Sequence, residues 1–307
     1  MSPALPPGAT VLVDAPIFVF RAWHAIPETR TDPAGRPINA FLGFADFVAD
    51  LLRAPAPTRL AFAFDTSLGS GFRQAIYPPY KANRPPAPDS LRWQFARCRA
   101  LLDRLGLPQL ASDSHEADDL IGTLAARARR AGRPVVLLTA DKDLAQLLGP
   151  DDLWWDCQRQ RRLDARGVAR AFGVPPAQIA DQLALAGDKV DNIPGVPGVG
   201  MATAARLLRR FGDIDALLAD TAAIGRMRLR GARRLQGLIE RHADTIRLAR
   251  RLTRIDCAAP LPAGFTTRPR PPDLAGLAAL LAGLGFPAAQ RAAWRRLAER
   301  WGAGLSW

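Results

Sequence analysis

The sequence predicts an α/β fold with a mostly parallel sheet flanked by helices, followed by a helical domain. Three observations carry this. Three apolar, partly β-branched runs, Val11-Leu12-Val13-Asp14, Leu60 to Asp65 and Val135 to Asp141, each end in an aspartate. Runs apolar at nearly every position read as strands buried on both faces, as in a parallel sheet under helices. Helical patterns over Ile38 to Arg53, Ser90 to Leu105 and Ser114 to Ala131 separate them, and that alternation is how a covered parallel sheet is written. Beyond Pro175 the strand signal fades and helices follow, broken by Gly-Pro punctuation at Ile193 to Gly200.

Taken in order, the first two strands deliver Asp14 and Asp65 to their carboxyl ends, where sheets of this class bind ligands. The stretch Gly69 to Pro88 sets Arg73, Tyr80, Lys81 and Arg84 among five prolines and reads as a mobile basic segment leading into the Ser90 helix. The third helix, capped by Ser114, carries Glu116, Asp118 and Asp119 in or near its first turn, where acids also complement the helix dipole. The third strand ends at Asp141-Lys142-Asp143, whose alternate spacing puts both carboxylates on one side of an extended loop. Asp188 and Asp191 precede Asn192-Ile193-Pro194-Gly195. These features divide the chain into an α/β domain over 1–174, a helical domain over 175–260, and a Pro-rich linker with a C-terminal basic helix over 261–307.

Apolar residues are 48% of the 307 and charged residues 23%, so the chain can bury a substantial core. The formal charge of +13 points to a polyanionic partner, most often nucleic acid. Only three of the 42 basic residues are lysines, and that skew also fits a biased base composition. The three cysteines are far apart and form no Cys-x-x-Cys pair, which disfavours zinc and disulfides and fits a reducing cytoplasm. No basic residues precede an apolar stretch at the N-terminus, and the uncharged run Leu274 to Ala289 is short for a membrane span. A soluble, cytoplasmic, nucleoid-associated protein without a membrane partner is expected.

Nine acids would thus share one predicted sheet edge, with only Lys142 and Lys189 interleaved. Their repulsion calls for neutralising cations. Without histidine or cysteine ligands, apart from His115, all-oxygen ligation suits Mg²⁺ or Mn²⁺. Carboxylates supporting two hydrated cations about 4 Å apart are common machinery for phosphodiester hydrolysis.

The sequence resembles the 5′ nucleases: the 5′→3′ exonuclease domain of bacterial DNA polymerase I with its stand-alone relatives, phage exonucleases and flap endonucleases. The matching stretches span roughly residues 10–255. They are Val13-Asp14, Arg21 to Ala25, Phe64-Asp65, Phe72-Arg73, Tyr77 to Pro85, Glu116 to Asp119, Ala140 to Leu144, and Gly187 to Gly200. Each is weak alone; all of them in this order are specific.

The resemblance implies that Asp14, Asp65, Glu116 and Asp118 surround a first metal. It implies that Asp119, Asp141, Asp143, Asp188 and Asp191 serve a second metal or its waters. Lys81 and Arg84 would hold the scissile phosphate with help from Arg73, and Tyr80 would stack on an unpaired terminal base. Gly195 to Gly200 followed by a helix from Met201 is similar to the family's helix–three-turn–helix. Gly195, Gly198, Gly200, Thr203, Arg206, Arg209 and Arg210 would grip duplex DNA there, with a K⁺ ion and without reading bases. The sequence departs from the family at Ala15-Pro16, where Pro16 lacks an N–H and would shift the turn. It departs again at Met201-Ala202, where relatives carry a lysine.

The implied activity is structure-selective cleavage of DNA at 5′ ends, flaps or nicks by a monomer, with a separate DNA polymerase as a partner. Two alternatives stay open: an inactive junction-binding protein on the same fold, and an RNA nuclease of the PIN type, which shares the acidic resolvase-like core.

Overall fold

The computed structural model describes residues 5–53, 57–66 and 71–304. In chain order the elements are β1 (Thr10–Asp14), α1 (Ala15–Ala25), α2 (Asn39–Arg53), β2 (Leu60–Asp65), α3 (Phe72–Ile76), α4 (Asp89–Arg104), β3 (Gln109–Ser112), α5 (Ala117–Arg130) and β4 (Val135–Leu138). They continue with β5 (Leu153–Asp156), β6 (Arg161–Leu163), α6 (Ala165–Phe172), α7 (Ile179–Ala186), α8 (Met201–Phe211), α9 (Ile214–Ala219), α10 (Thr221–Gly225), α11 (Ala232–Arg241), α12 (Ala243–Thr253), α13 (Leu274–Gly283) and α14 (Ala288–Ala303). The chain divides into two compact units: residues 1–66, 86–140 and 257–307 form one, and residues 67–85 and 141–256 the other.

The first unit holds four strands in the order β3-β2-β1-β4, every described neighbouring pair parallel. The expected strands are all present. β1 and β4 are buried at every residue, and β2 at every residue before Asp65. Phe44 of α2 meets Phe62 and Phe64 of β2 edge-on or tilted, at 6.1 and 6.2 Å between ring centroids. Pro16 falls in the first turn of α1, where a missing N–H removes no helical bond. The departure expected to shift this turn is thus accommodated by it.

The segment from Cys257 onward builds onto this unit. Thr267 accepts a hydrogen bond from Leu60 N at 2.9 Å, and Gly106 and Arg104 accept from Arg270 N and Asp273 N, both at 2.8 Å. The buried Thr123 hydroxyl receives Ala259 N at 2.9 Å. α13 and α14 then lie against α4 and α2, burying Leu277, Leu281, Trp294, Leu297 and Trp301.

The second unit combines an antiparallel β5–β6 ribbon with helices α6 to α12 and the short α3. α7 lies at its centre beside α8 and α12. Gln182 on α7 donates to the carbonyls of Phe172 and Met201, and Ala180 accepts from the Thr253 hydroxyl of α12. After α7 the chain folds back on itself. Asp188 and Ile193 exchange both backbone bonds, at 3.0 and 2.7 Å. A Cβ on Gly195 would lie 2.5 Å from the Ala186 carbonyl oxygen and would collide with the Gly187 amide. Only glycine permits that approach. Among the described residues no helix is long and apolar enough to cross a membrane.

Candidate active site

The nine predicted acids divide between the two units, five in the first and four in the second. In the first, Asp14 ends β1, is 7% exposed, and accepts a hydrogen bond from the Thr139 hydroxyl at 2.7 Å. Asp65 ends the adjacent strand and accepts from Ala117 N at 2.7 Å, tying the mouth of β2 to the start of α5. That helix begins later than expected. Its cap is Glu116 and not Ser114, because Glu116 and Asp119 form a reciprocal capping box. Asp119 is fully buried and its Oδ2 accepts from Glu116 N at 3.1 Å, whereas Asp118 remains half-buried in the same turn.

In the second unit four acids share one neighbourhood with three cations. Asp141 Oδ1 accepts from Asp143 N at 2.8 Å, and the Asp141 carbonyl accepts from the Trp154 indole at 2.8 Å. Lys142 Nζ lies 3.0 Å from Asp188 Oδ2, while Asp188 Oδ1 accepts from Val190 N at 2.8 Å. Asp191 takes the guanidinium of Arg84 and the ammonium of Lys81, the latter at 3.8 Å. The backbone locks this arrangement in both directions. Lys81 N donates to the Asp191 carbonyl at 2.9 Å, and Asn192 Nδ2 donates to the Pro79 carbonyl at 2.7 Å. Asn83 reaches the Lys189 carbonyl at 3.1 Å. Lys81 and Asn192 both adopt left-handed backbone, each with φ +55°, a conformation uncommon outside glycine. Among the described residues no three His, Cys, Asp or Glu side chains are already gathered as a ready-made metal cage.

The charges are strongly unequal. Burial pushes the Asp143 carboxyl up to about 8, and the charges of Asp141, Asp188 and Asp191 add to it against the opposing pull of Lys142. Its Oδ1 is shielded from water and accepts no hydrogen bond among the described residues. Asp141 is raised too, chiefly by burial. Burial acts on Asp188 in the same direction, but the Lys142 bond and charge with the Val190 and Asp191 amides outweigh it, holding Asp188 below the usual range. Lys142 is held charged by Asp188, Asp143 and Asp141 despite its own burial.

Two expected DNA contacts are placed otherwise. Arg73 is 3% exposed, and its guanidinium donates to the carbonyls of Leu252 and Arg254 at 2.9 Å each, closing the end of α12. It is spent on backbone acceptors and cannot also reach a phosphate in this conformation. Replacing Arg73 with Ala orphans both carbonyls and is expected to lower stability by about 3 kcal/mol, read as a fall in the urea midpoint. Tyr80 is also 3% exposed, its hydroxyl 3.4 Å from Asp191. The ring carries Lys81 over its face at 5.0 Å and is not an open platform for a base. The start of the expected Gly69 to Pro88 segment, residues 69 and 70, lies outside the described residues.

Around α8 the expected residues share one region. Gly195, Gly198 and Gly200 belong to the turn that enters the helix, and Gly198 has φ +79°. Thr203 is half-buried one turn on, and Arg206, Arg209 and Arg210 are exposed along the helix. Residues that sequence reasoning missed are Thr139, Asn83 and Asn192. Of these, Asn192 carried a usable signal, since asparagine tolerates left-handed backbone.

Comparison with known proteins agrees with this architecture. Residues 9–173 match the family model of the 5′–3′ exonuclease N-terminal resolvase-like domain, and residues 174–273 that of the 5′–3′ exonuclease C-terminal SAM fold. DNA polymerase I of Pseudomonas aeruginosa is 42% identical over 246 residues, covering 80% of this chain and 27% of the relative. The 5′–3′ exonuclease of Aquifex aeolicus is 37% identical over 207 residues, covering 67% of this chain and 71% of the relative. The chain spans about a quarter of the length of the polymerases it matches. Among solved structures, T5 5′-exonuclease with bound zinc superposes with a TM-score of 0.66 at 17% identity, covering 96% of this chain and 99% of that one. Flap endonuclease-1 from Methanococcus jannaschii gives 0.64 at 14% identity, with 96% and 93% covered. The shared fold, with a family relative matched over most of its length, leads to one conclusion: this chain belongs to the 5′–3′ exonuclease family.

Proposed function

We propose that this chain is a divalent-metal-dependent nuclease that hydrolyses DNA phosphodiesters at 5′ ends and 5′-flap junctions. The observation that carries the reading is the cluster of Asp141, Asp143, Asp188 and Asp191 interleaved with Lys81, Arg84 and Lys142. Mixed charge of this kind suits a polyanion that arrives with counter-ions. The donors are all oxygen, and a hard cation beside Asp143 would relieve both its solitary Oδ1 and the repulsion that raises its carboxyl. Mg²⁺ fits those donors best. Asp14, Asp65, Glu116 and Asp118 would hold one ion; Asp119, Asp141, Asp143, Asp188 and Asp191 would serve another or its waters. An ion held there would supply Lewis acidity, lowering the pKa of a bound water and offsetting charge on the leaving 3′ oxygen.

The side chains supply the rest. Lys81 and Arg84 exchange their shared carboxylate on Asp191 for the scissile phosphate, with Arg84 offering a two-pronged donor. The Thr139 hydroxyl fixes the orientation of the Asp14 carboxylate. The exposed N-terminus of α8 presents unpaired amides to a backbone phosphate of the duplex, so binding does not depend on base sequence.

The deciding experiment measures product lengths from 5′-flap, nicked and blunt duplexes in Mg²⁺ and in EDTA, beside an Asp141→Asn control. Products released from the 5′ end or flap base only in Mg²⁺, and reduced at least about a hundredfold in the control, are expected. Duplex binding without any cleavage by the unaltered protein would instead leave a junction-binding protein.

A further inference from the structure

The turn that carries Asp141 and Asp143 is held by two neutral side chains that the chemistry above does not use. From β5, the Trp154 indole donates to the Asp141 carbonyl at 2.8 Å. From the turn itself, Gln146 Nε2 donates to the Asp143 carbonyl at 3.0 Å. The Gln146 amide is in turn fixed at the end of α12. Its Nε2 also donates to the Thr253 carbonyl at 3.0 Å, and its Oε1 accepts from Ile255 N at 3.1 Å. The Asp143 amide then closes the turn on the Asp141 carboxylate at 2.8 Å. Every one of these groups belongs to the second unit.

The ribbon supplies its own comparison. Trp154 and Trp155 are adjacent and both buried, and successive residues of a strand face opposite ways. The Trp155 ring carries the Arg162 guanidinium at 3.7 Å. Its indole N–H is shielded from water and meets no acceptor among the described residues. Of two neighbouring indoles, one N–H is therefore spent on the acid turn and the other on nothing. Packing alone explains Trp155; it does not explain the Trp154 bond.

We propose that Trp154 and Gln146 are positioning residues for a divalent cation at Asp141 and Asp143. By fixing two peptide planes of the turn, they keep both carboxylates presented to one ion. The inference rests on the nuclease reading for the identity of that site. Two carboxylates this close repel each other and turn apart where the backbone allows it. Donors on the backbone carbonyls resist that rotation, and being neutral they do not compete with the cation for the carboxylate oxygens. Groups that orient metal ligands from behind in this way are typically worth about tenfold to a hundredfold in metal affinity.

The test is Mn²⁺ uptake by the full chain without DNA, read from loss of the free-ion EPR signal. Trp154→Phe removes the donor and keeps an aromatic ring. Trp155→Phe makes the same change at the indole that meets no acceptor, and serves as the control. One class of Mn²⁺ site is expected to weaken about tenfold in Trp154→Phe, and by less than about threefold in Trp155→Phe. Gln146→Leu should weaken the same class, and keeps the question answerable should Trp154→Phe not fold. In flap cleavage, the Mg²⁺ midpoint of both variants should rise by a similar factor. The rate at saturating Mg²⁺ should change far less, and so should duplex Kd in EDTA. A purely structural role would lower Tm and the rate at every Mg²⁺ concentration without moving the midpoint. Unchanged Mn²⁺ uptake in Trp154→Phe and Gln146→Leu, or an equal loss in Trp155→Phe, overturns the proposal. An unaltered protein that takes up no Mn²⁺ overturns it together with the nuclease reading. One that takes up Mn²⁺ but never cuts fails as a nuclease, and its uptake still decides the role of the two side chains. One that cuts while both variants take up Mn²⁺ normally loses only the positioning role.

Discussion

Removing the Lys81 ammonium should cut turnover by about a hundredfold or more while duplex affinity changes less than about threefold. Lys81 reaches Asp191 with a side chain only 10% exposed, and its backbone is held by the same residue's carbonyl. It is therefore a poor general attractor of DNA and well fixed to meet one phosphate. Alanine at this position would also inherit the left-handed backbone, so Lys81→Gly is the cleaner comparison: glycine accepts that φ without strain. Equal losses in the Ala and Gly variants assign the effect to the missing charge. Single-turnover cleavage with saturating enzyme, read beside Kd, measures both quantities. Parallel losses in rate and affinity would reduce Lys81 to an ordinary electrostatic contact.

Asp143→Asn should do two opposite things: abolish cleavage and stabilise the metal-free protein. The folded state holds the Asp143 proton up to about 8, against 3.8 for an unperturbed aspartate. The folded form thus binds more protons than the unfolded form throughout that window. The associated stability is complete below the ordinary value, declines as pH rises towards 8, and stays lost above it. Tm measured in EDTA should therefore fall with pH between about 4 and 8, and Asp143→Asn should flatten part of that fall. At pH near 8 the variant should melt a few degrees higher than the unaltered protein. Mg²⁺ should raise Tm of the unaltered protein most at the alkaline end and have less effect on the variant. A variant that melts lower at every pH would mean that the carboxylate supports the fold instead of straining it.

The parts of the fold that were legible share one property: burial on both faces, which writes itself as unbroken apolar sequence. Val11 to Asp14 and Leu60 to Asp65 are such segments. β3 escaped because, within Gln109–Ser112, only Leu110 is fully buried. β6 escaped because Arg161-Arg162-Leu163 exposes or half-exposes every residue. The acids were legible by type and order, since each sits where a strand or helix boundary can be read. The contacts of Arg73 and Tyr80 were not. The acceptors of Arg73 lie 179 and 181 positions along the chain, and Asp191 lies 111 beyond Tyr80; no local pattern encodes such distant pairings.

Because residues 257–307 complete the sheet-bearing unit, order of synthesis and order of assembly are inverted. The helical unit is finished once Asp256 has emerged, while the unit begun first still lacks its last two helices. Arg30 waits for Gln290, 260 positions later, to form their hydrogen bond. A nascent chain therefore carries the four strands of the first unit without α13 and α14 until residues 257–307 have been made and fold back onto them.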